Sequence, residues 1–178
     1  MVRPFVALLA ALILGGCGAL PERTVEWDNG ELSFDYPASW TDWGPEEPIS
    51  LRRPTVLAYI GTIPVDPNEI CTIGRTTARC DFDAYGMEPG GVVVAFVRWD
   101  VPSIGPPAGL GEPATVGGRE ARFAEESTGH DSVILRWAID DPYASYLAVW
   151  AEIQGPDEAA LRRQVQALVD SIAFTPPG

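Results

Sequence analysis

Val92-Val93-Val94-Ala95-Phe96-Val97-Arg98-Trp99 is the stretch on which the fold turns. Its first six residues are apolar without alternation, and β-branched and aromatic side chains dominate it. A half-buried strand alternates apolar and polar residues. An unbroken apolar run after a turn signal, here Pro89-Gly90-Gly91, describes a strand covered on both faces. The stretch is therefore expected at the centre of a sheet.

On its C-terminal side, residues 101–118 are rich in Pro and Gly and read as surface loop. Residues 119–126, 133–140 and 143–153 read as consecutive strands, with Asp140-Asp141-Pro142 turning the last pair. Val133, Leu135, Trp137 and Ile139 share one face of the first of this pair, and Leu147, Val149, Ala151 and Ile153 one face of the second. Gly155 and Pro156 open a helix, with Asp157 and Glu158 in its first turn, where the helix dipole favours negative charge. Leu161, Val165, Leu168, Val169 and Ile172 recur at helical spacing, and Arg162, Arg163 and Gln166 take the solvent side. Residues 171–174 read as a short last strand before Pro176-Pro177.

On the N-terminal side, residues 24–28 and 31–36 form a hairpin about Asp28-Asn29-Gly30, since Asn-Gly supplies the positive φ such turns need. Leu32, Phe34 and Tyr36 alternate with polar neighbours, and Pro37 stops the strand. Residues 45–54 read as loop and 55–60 as an apolar strand. Residues 61–90 carry turn signals and no periodicity, a long irregular stretch for a compact domain. The whole reads as an α+β domain, an antiparallel sheet with at least one helix packed across it.

The start of the chain reads as an address. Arg3 precedes a ten-residue apolar run, Phe5–Leu14, followed by small residues. A spanning helix needs about 20 apolar residues, so the run fits an export signal and not a permanent anchor. Leu14-Gly15-Gly16-Cys17 resembles the lipobox of bacterial lipoproteins, in which the peptidase cuts before a diacylglyceryl-modified cysteine. The resemblance implies a signal peptide over 1–16, a lipidated Cys17 with a tether to residue 23, and a single globular domain over 24–178. At about 3.3 Å per residue, Gly18–Arg23 reaches only about 20 Å. The expected location is the bacterial envelope, at the outer face of the plasma membrane or in the periplasm.

The chain has 12 basic and 25 acidic residues, a net charge of −13, and every basic residue is arginine. Cleavage after residue 16 removes Arg3 and leaves 11 against 25, a net charge of −14. Such a charge repels phosphate, which excludes nucleic acid as a partner and leaves the lipid to hold the domain at the membrane. Of three cysteines, lipidation of Cys17 leaves Cys71 and Cys80 as a pair in an oxidising compartment. A bridge between them closes a ten-residue loop and contributes roughly 2.5 kcal/mol in the chain-entropy model. A metal site there lacks a third thiol or a close histidine.

Phe34-Asp35-Tyr36-Pro37-Ala38-Ser39-Trp40 resembles the opening of Mog1/PsbP-like domains, and Val169-Asp170-Ser171-Ile172-Ala173-Phe174, after an acidic-start helix, resembles their close. The resemblance covers both ends of the 24–178 region and leaves the middle unmatched. It implies an α/β/α sandwich about an antiparallel sheet and a role in binding or assembly; fold alone is a weak guide to function.

Chemistry-bearing residues are sparse. His130, the sole histidine, lies in Ser127-Thr128-Gly129-His130-Asp131 between two expected strands; no Gly-x-Ser-x-Gly elbow accompanies it, and it reads as a polar turn. Asp81, Asp83 and Gly86 follow the start of a calcium loop, with Glu88 nearby, but Tyr85 holds the position of a third ligand and Val92 that of the bidentate Glu. Asp66, Asn68 and Glu69 are weaker still. Gly90-Gly91 and Gly117-Gly118 lack any phosphate-loop pattern. Trp99, Trp137 and Trp150 lie in strands, where core packing is the usual fate, whereas Trp40 and Trp43 flank a loop and are candidates for contact with an envelope protein. The leading expectation is a membrane-tethered, non-enzymatic binding or assembly module without a cofactor. The alternatives are a small envelope hydrolase working through carboxylates and a calcium-dependent binding module.

Overall fold

The computed structural model describes residues 23–44, 49–50, 55–64, 71–73, 78–80, 90–99, 111–127 and 132–177. Thirteen strands and one helix occur among them: β1 (Thr24–Asp28), β2 (Leu32–Pro37), β3 (Thr41–Asp42), β4 (Ile49–Ser50), β5 (Thr55–Gly61), β6 (Cys71–Ile73), β7 (Ala78–Cys80), β8 (Gly91–Trp99), β9 (Glu112–Val116), β10 (Arg119–Ser127), β11 (Ser132–Ile139), β12 (Tyr146–Gln154), α1 (Glu158–Asp170) and β13 (Ala173–Phe174). The large sheet runs β3-β5-β8-β12-β11-β10-β9, with β4 also paired to β5, and every pairing is antiparallel. A small sheet, β1-β2-β13, and a separate β6-β7 hairpin complete the set.

β8 is an inner strand buried on both faces, as its unbroken apolar run requires. Val92, Val94 and Phe96 face the main core; Ala95 and Val97 face a second apolar cluster. The main core collects one face of β5, β8, β12 and β11, together with Leu32 and Phe34 of β2 and Leu161, Val165, Leu168 and Val169 of α1. At its centre Phe34 is stacked between Trp27 and Phe96, with ring centroids 5.0 and 4.0 Å away. Trp40, expected at an exposed contact, is instead 5 % exposed in this core, carried inward by the turn after β2 in which its N–H donates to the Pro37 carbonyl.

The two stretches that carry the Mog1/PsbP resemblance meet in space. β13 pairs with β2, and Ser171 Oγ accepts the Asp35 N–H at 2.8 Å. α1 packs on β2 and β12. The described residues thus form a sheet-dominated α+β fold with one helix on one side, rather than helices over both faces.

Two expected loops contain strands. β4 lies within 45–54, and β9 within 101–118. β9 is an edge strand, where Pro113 needs no ladder donor, and Gly117 and Gly118, both at positive φ, form the two-residue turn into β10. β2 also runs one residue further than expected and includes Pro37. The 61–90 stretch contains the β6-β7 hairpin.

Candidate functional site: the aromatic face of the large sheet

The side of the large sheet turned away from α1 has an unusual build. Strand alternation sends Ala95, Val97 and Trp99 from β8, and Tyr146, Ala148 and Trp150 from β12, to this side. β5 contributes both Val56 and Tyr59, three residues apart, because a register shift between Val56 and Ala58 resets the alternation. Trp43 joins them at the edge, where its backbone N–H donates to the Tyr59 carbonyl at 2.7 Å. Trp43, Tyr59, Ala95, Trp150 and Arg136 thus occupy one row across the sheet.

The resulting floor is small and dry: Val56, Ala95, Val97 and Ala148 are buried. Trp43, Trp99, Tyr146 and Trp150 pack against it while remaining partly exposed. Trp99 and Tyr146 stack with centroids 6.0 Å apart and planes 12° from parallel. Burial raises the Tyr59 hydroxyl to about 12 and raises Tyr146 as well, so both phenols stay neutral through the physiological range.

The indole N–H groups of Trp43 and Trp99 are buried, and neither has a hydrogen-bond partner among the described residues. A buried donor left unmet costs about 1–3 kcal/mol, so each calls for an explanation; Arg98 Nη2 is a further such donor among the described residues. The opposite end of the face holds Glu152, buried, whose Oε1 accepts from Ser132 Oγ at 2.7 Å.

The other buried acid among the described residues, Asp141, belongs to a different network. Its Oδ2 accepts from Arg98 Nε at 2.7 Å and its Oδ1 from the Tyr143 N–H at 2.9 Å, while Arg98 Nη1 reaches Glu31 at 2.5 Å. The Arg98 guanidinium lies 5.4 Å over the Tyr143 ring, and Tyr143 in turn donates to the Thr175 carbonyl. This network ties the β1–β2 turn, the β11–β12 turn and the C-terminal segment together. It brings the Asp141 and Glu31 carboxylates to one guanidinium, with both paired to that cation.

Of the residues singled out by sequence, Trp43 lies on the aromatic face and Trp40 in the core. Trp99 and Trp150, expected in the core, instead belong to the aromatic face; Trp137 packs in the main core as expected. Cys71 and Cys80 are direct Cα partners in the β6-β7 register. Paired strands hold Cα atoms about 4.5–5.5 Å apart, within the range a disulfide spans. Cys17, His130, Asp66, Asn68, Glu69, Asp81, Asp83 and Glu88 lie outside the described residues. Among the described residues no group of three or more His, Cys, Asp or Glu is placed to hold a metal, and no helix is long and apolar enough to cross a membrane.

Neither a family profile nor a curated protein matches the chain. Among solved structures it is similar to LpqN, described as involved in cell envelope biogenesis of Mycobacterium tuberculosis, at 16 % identity and a TM-score of 0.46, over 86 % of this chain and 91 % of that one.

Proposed function

We propose that the protein is a lipid-anchored extracytoplasmic binding module whose ligand sits on the aromatic face of the large sheet. The observation that carries this reading is the pair of unpartnered indole N–H groups of Trp43 and Trp99 beside a floor of small apolar residues. Binding sites are typically apolar and aromatic, with a few polar groups that fix orientation. The anchor rests on the lipobox and on cysteine parity: Cys17 takes the lipid, and Cys71 and Cys80 form the bridge that closes the β6-β7 hairpin. The Mog1/PsbP-like arrangement belongs to the same reading, supported by the contact between its two signature stretches.

The test is titration of the full chain with the neutral dye N-phenyl-1-naphthylamine, read by energy transfer from tryptophan. Saturable binding is expected, weakened at least fivefold by Trp99→Ala and by Trp150→Ala. Non-saturable uptake, or uptake unchanged in both variants, would remove the face as a site. Mass spectrometry of the envelope form tests the anchor: a diacylglyceryl adduct on Cys17 is expected, and a Cys17 disulfide to Cys71 or Cys80 would overturn both cysteine assignments together.

A further inference from the structure

We infer that the ligand of the aromatic face is a neutral oligosaccharide, its sugar rings lying on the partly exposed aromatic rings and its oxygens accepting from the Trp43 and Trp99 indoles. The inference rests on the reading of that face as the binding site and gives it a substrate class.

The first argument is polarity. Indole nitrogen donates and never accepts. The two indole N–H groups are therefore calls for an acceptor, which an alkyl chain lacks. A chain with a net charge of −13 also disfavours an anionic polymer.

The second is span. Trp43 lies in the row of Tyr59 and Ala95, and Trp99 lies four residues along β8 from Ala95. With strands about 4.8 Å apart and a rise of about 3.4 Å per residue, the two tryptophan Cα atoms are about 17 Å apart. No single head group meets both donors. An extended ligand with acceptors repeated along its length does.

The third separates a glycan from a peptide. An extended peptide carries one N–H for nearly every carbonyl, and these donors need acceptors. The floor strands β8 and β12 are inner strands whose backbone carbonyls are committed to their ladders. A sugar hydroxyl rotates, donates or accepts as its surroundings require, and turns outward to water where the face offers nothing. Flat apolar ring faces are at the same time what parallel aromatic rings such as Trp99 and Tyr146 accommodate.

The fourth is placement. β1 continues directly from the tether and lies in the small sheet, whose Trp27 and Phe34 cover the main core. With the anchor at Cys17 and a tether of about 20 Å, the small sheet is the layer nearer the lipid. The aromatic face lies on the other side of the large sheet, turned away from the bilayer that would hold the protein. Both indoles belong to partly exposed rings, so a change of side-chain rotamer brings each N–H to a ligand at the surface.

The experiment is calorimetric titration of the full chain, held in phosphatidylcholine nanodiscs, with three neutral hexasaccharides: a β-1,4-glucan, a β-1,4-linked N-acetylglucosamine chain and an α-1,6-mannan. At least one is expected to bind and to shift tryptophan emission, with the corresponding disaccharide at least tenfold weaker. Trp43→Phe and Trp99→Phe keep a six-membered aromatic ring and lose the pyrrole ring with its N–H; each is expected to weaken binding about 3- to 10-fold with Tm little changed. Failure of all three hexasaccharides, equal affinity for hexa- and disaccharide, or wild-type affinity in both Phe variants would overturn the assignment. Saturable dye binding together with failure of every hexasaccharide leaves the face a binding site and removes the glycan. Displacement of the dye by monolaurin and by no saccharide does the same and points to an acyl ligand.

Discussion

At the scale of single residues, three side chains set the molecule's response to mutation and to pH. Arg98 is the hub at the end of β8: it pairs with Asp141, whose carboxylate is fully buried, and with Glu31. Breaking one partner of a buried pair leaves a charge without compensation, a loss of about 3–5 kcal/mol. Arg98→Ala is therefore expected to unfold in urea at a much lower midpoint. Arg98→Met combined with Asp141→Asn, which removes both charges, is expected to cost less than Arg98→Ala alone. Equal losses in the two would mean that the cost lies in packing and not in the stranded carboxylate. Tyr59 governs the alkaline side. Its folded pKa, raised to about 12 by burial, exceeds the usual value of 10 of the unfolded chain. Between these values the unfolded state has released its proton and the folded state has not, so stability falls as pH rises, approaching ~1.4 kcal/mol per pH unit from this group. The contribution is intact below pH 10 and lost as pH climbs through about 12. Tyr59→Phe should flatten the pH dependence of the urea midpoint over that window. Glu125 acts at the acid end with the opposite sign: its hydrogen bonds from Arg162 hold its pKa below the usual carboxylate value, so its contribution disappears as pH falls through that lowered pKa.

At the scale of elements, the strands with a strong pattern were legible and those defined by their neighbours were not. The double-sided run at 92–99, the alternation in 133–139 and 147–153 and the helical spacing of Leu161, Val165, Leu168 and Val169 each correspond to the burial observed. β9 was hidden because Gly111, Pro113, Gly117 and Gly118 look like loop, although two glycines in succession are also a hairpin signal. The face of Tyr59 was unreadable for another reason: the bulge after Val56 breaks strict alternation and has no residue signature. Trp40 and Trp43 are three apart and chemically alike, yet the turn after β2 sends one to each side of the sheet. Tryptophan identity carried the expectation of contact; only the register could divide Trp40 and Trp137 from Trp43, Trp99 and Trp150. Gly111 supplies the element-scale prediction. Its φ of +53° is left-handed, and a Cβ there would collide with the Phe123 carbonyl oxygen. Backbone cannot give way as a flexible side chain does, so Gly111→Ala should detach β9 from β10. Hydrogen exchange should then rise at Ala114 and Val116 and remain slow in β8 and β12; uniform loss of protection would show that β9 does not open as a separate unit.

At the scale of the whole molecule, net charge and the proposed anchor would act in opposite senses. A domain of −14 after the proposed cleavage would be repelled by anionic head groups, while each buried CH₂ of an acyl chain would contribute ~0.8 kcal/mol toward membrane binding. Attraction that came from charge would be screened over about 10 Å at 0.1 M salt; attraction that comes from acyl chains is not. The lipidated chain should therefore stay on phosphatidylcholine vesicles when salt is raised from 0.05 to about 1 M, and a chain starting at Gly18, which lacks both the apolar run and Cys17, should float with none of them. Vesicles containing phosphatidylserine sharpen the distinction. They should hold the lipidated chain less firmly at low salt than neutral ones, and the difference should close as salt rises, because salt removes only the repulsion. Retention that falls with salt, or binding of the chain starting at Gly18 to phosphatidylserine, would mean that an arginine-bearing surface reaches the bilayer. The small sheet would then no longer be the membrane-side layer by virtue of the tether alone, and the outward placement of the aromatic face, on which the glycan assignment partly stands, would have to be argued from that contact instead.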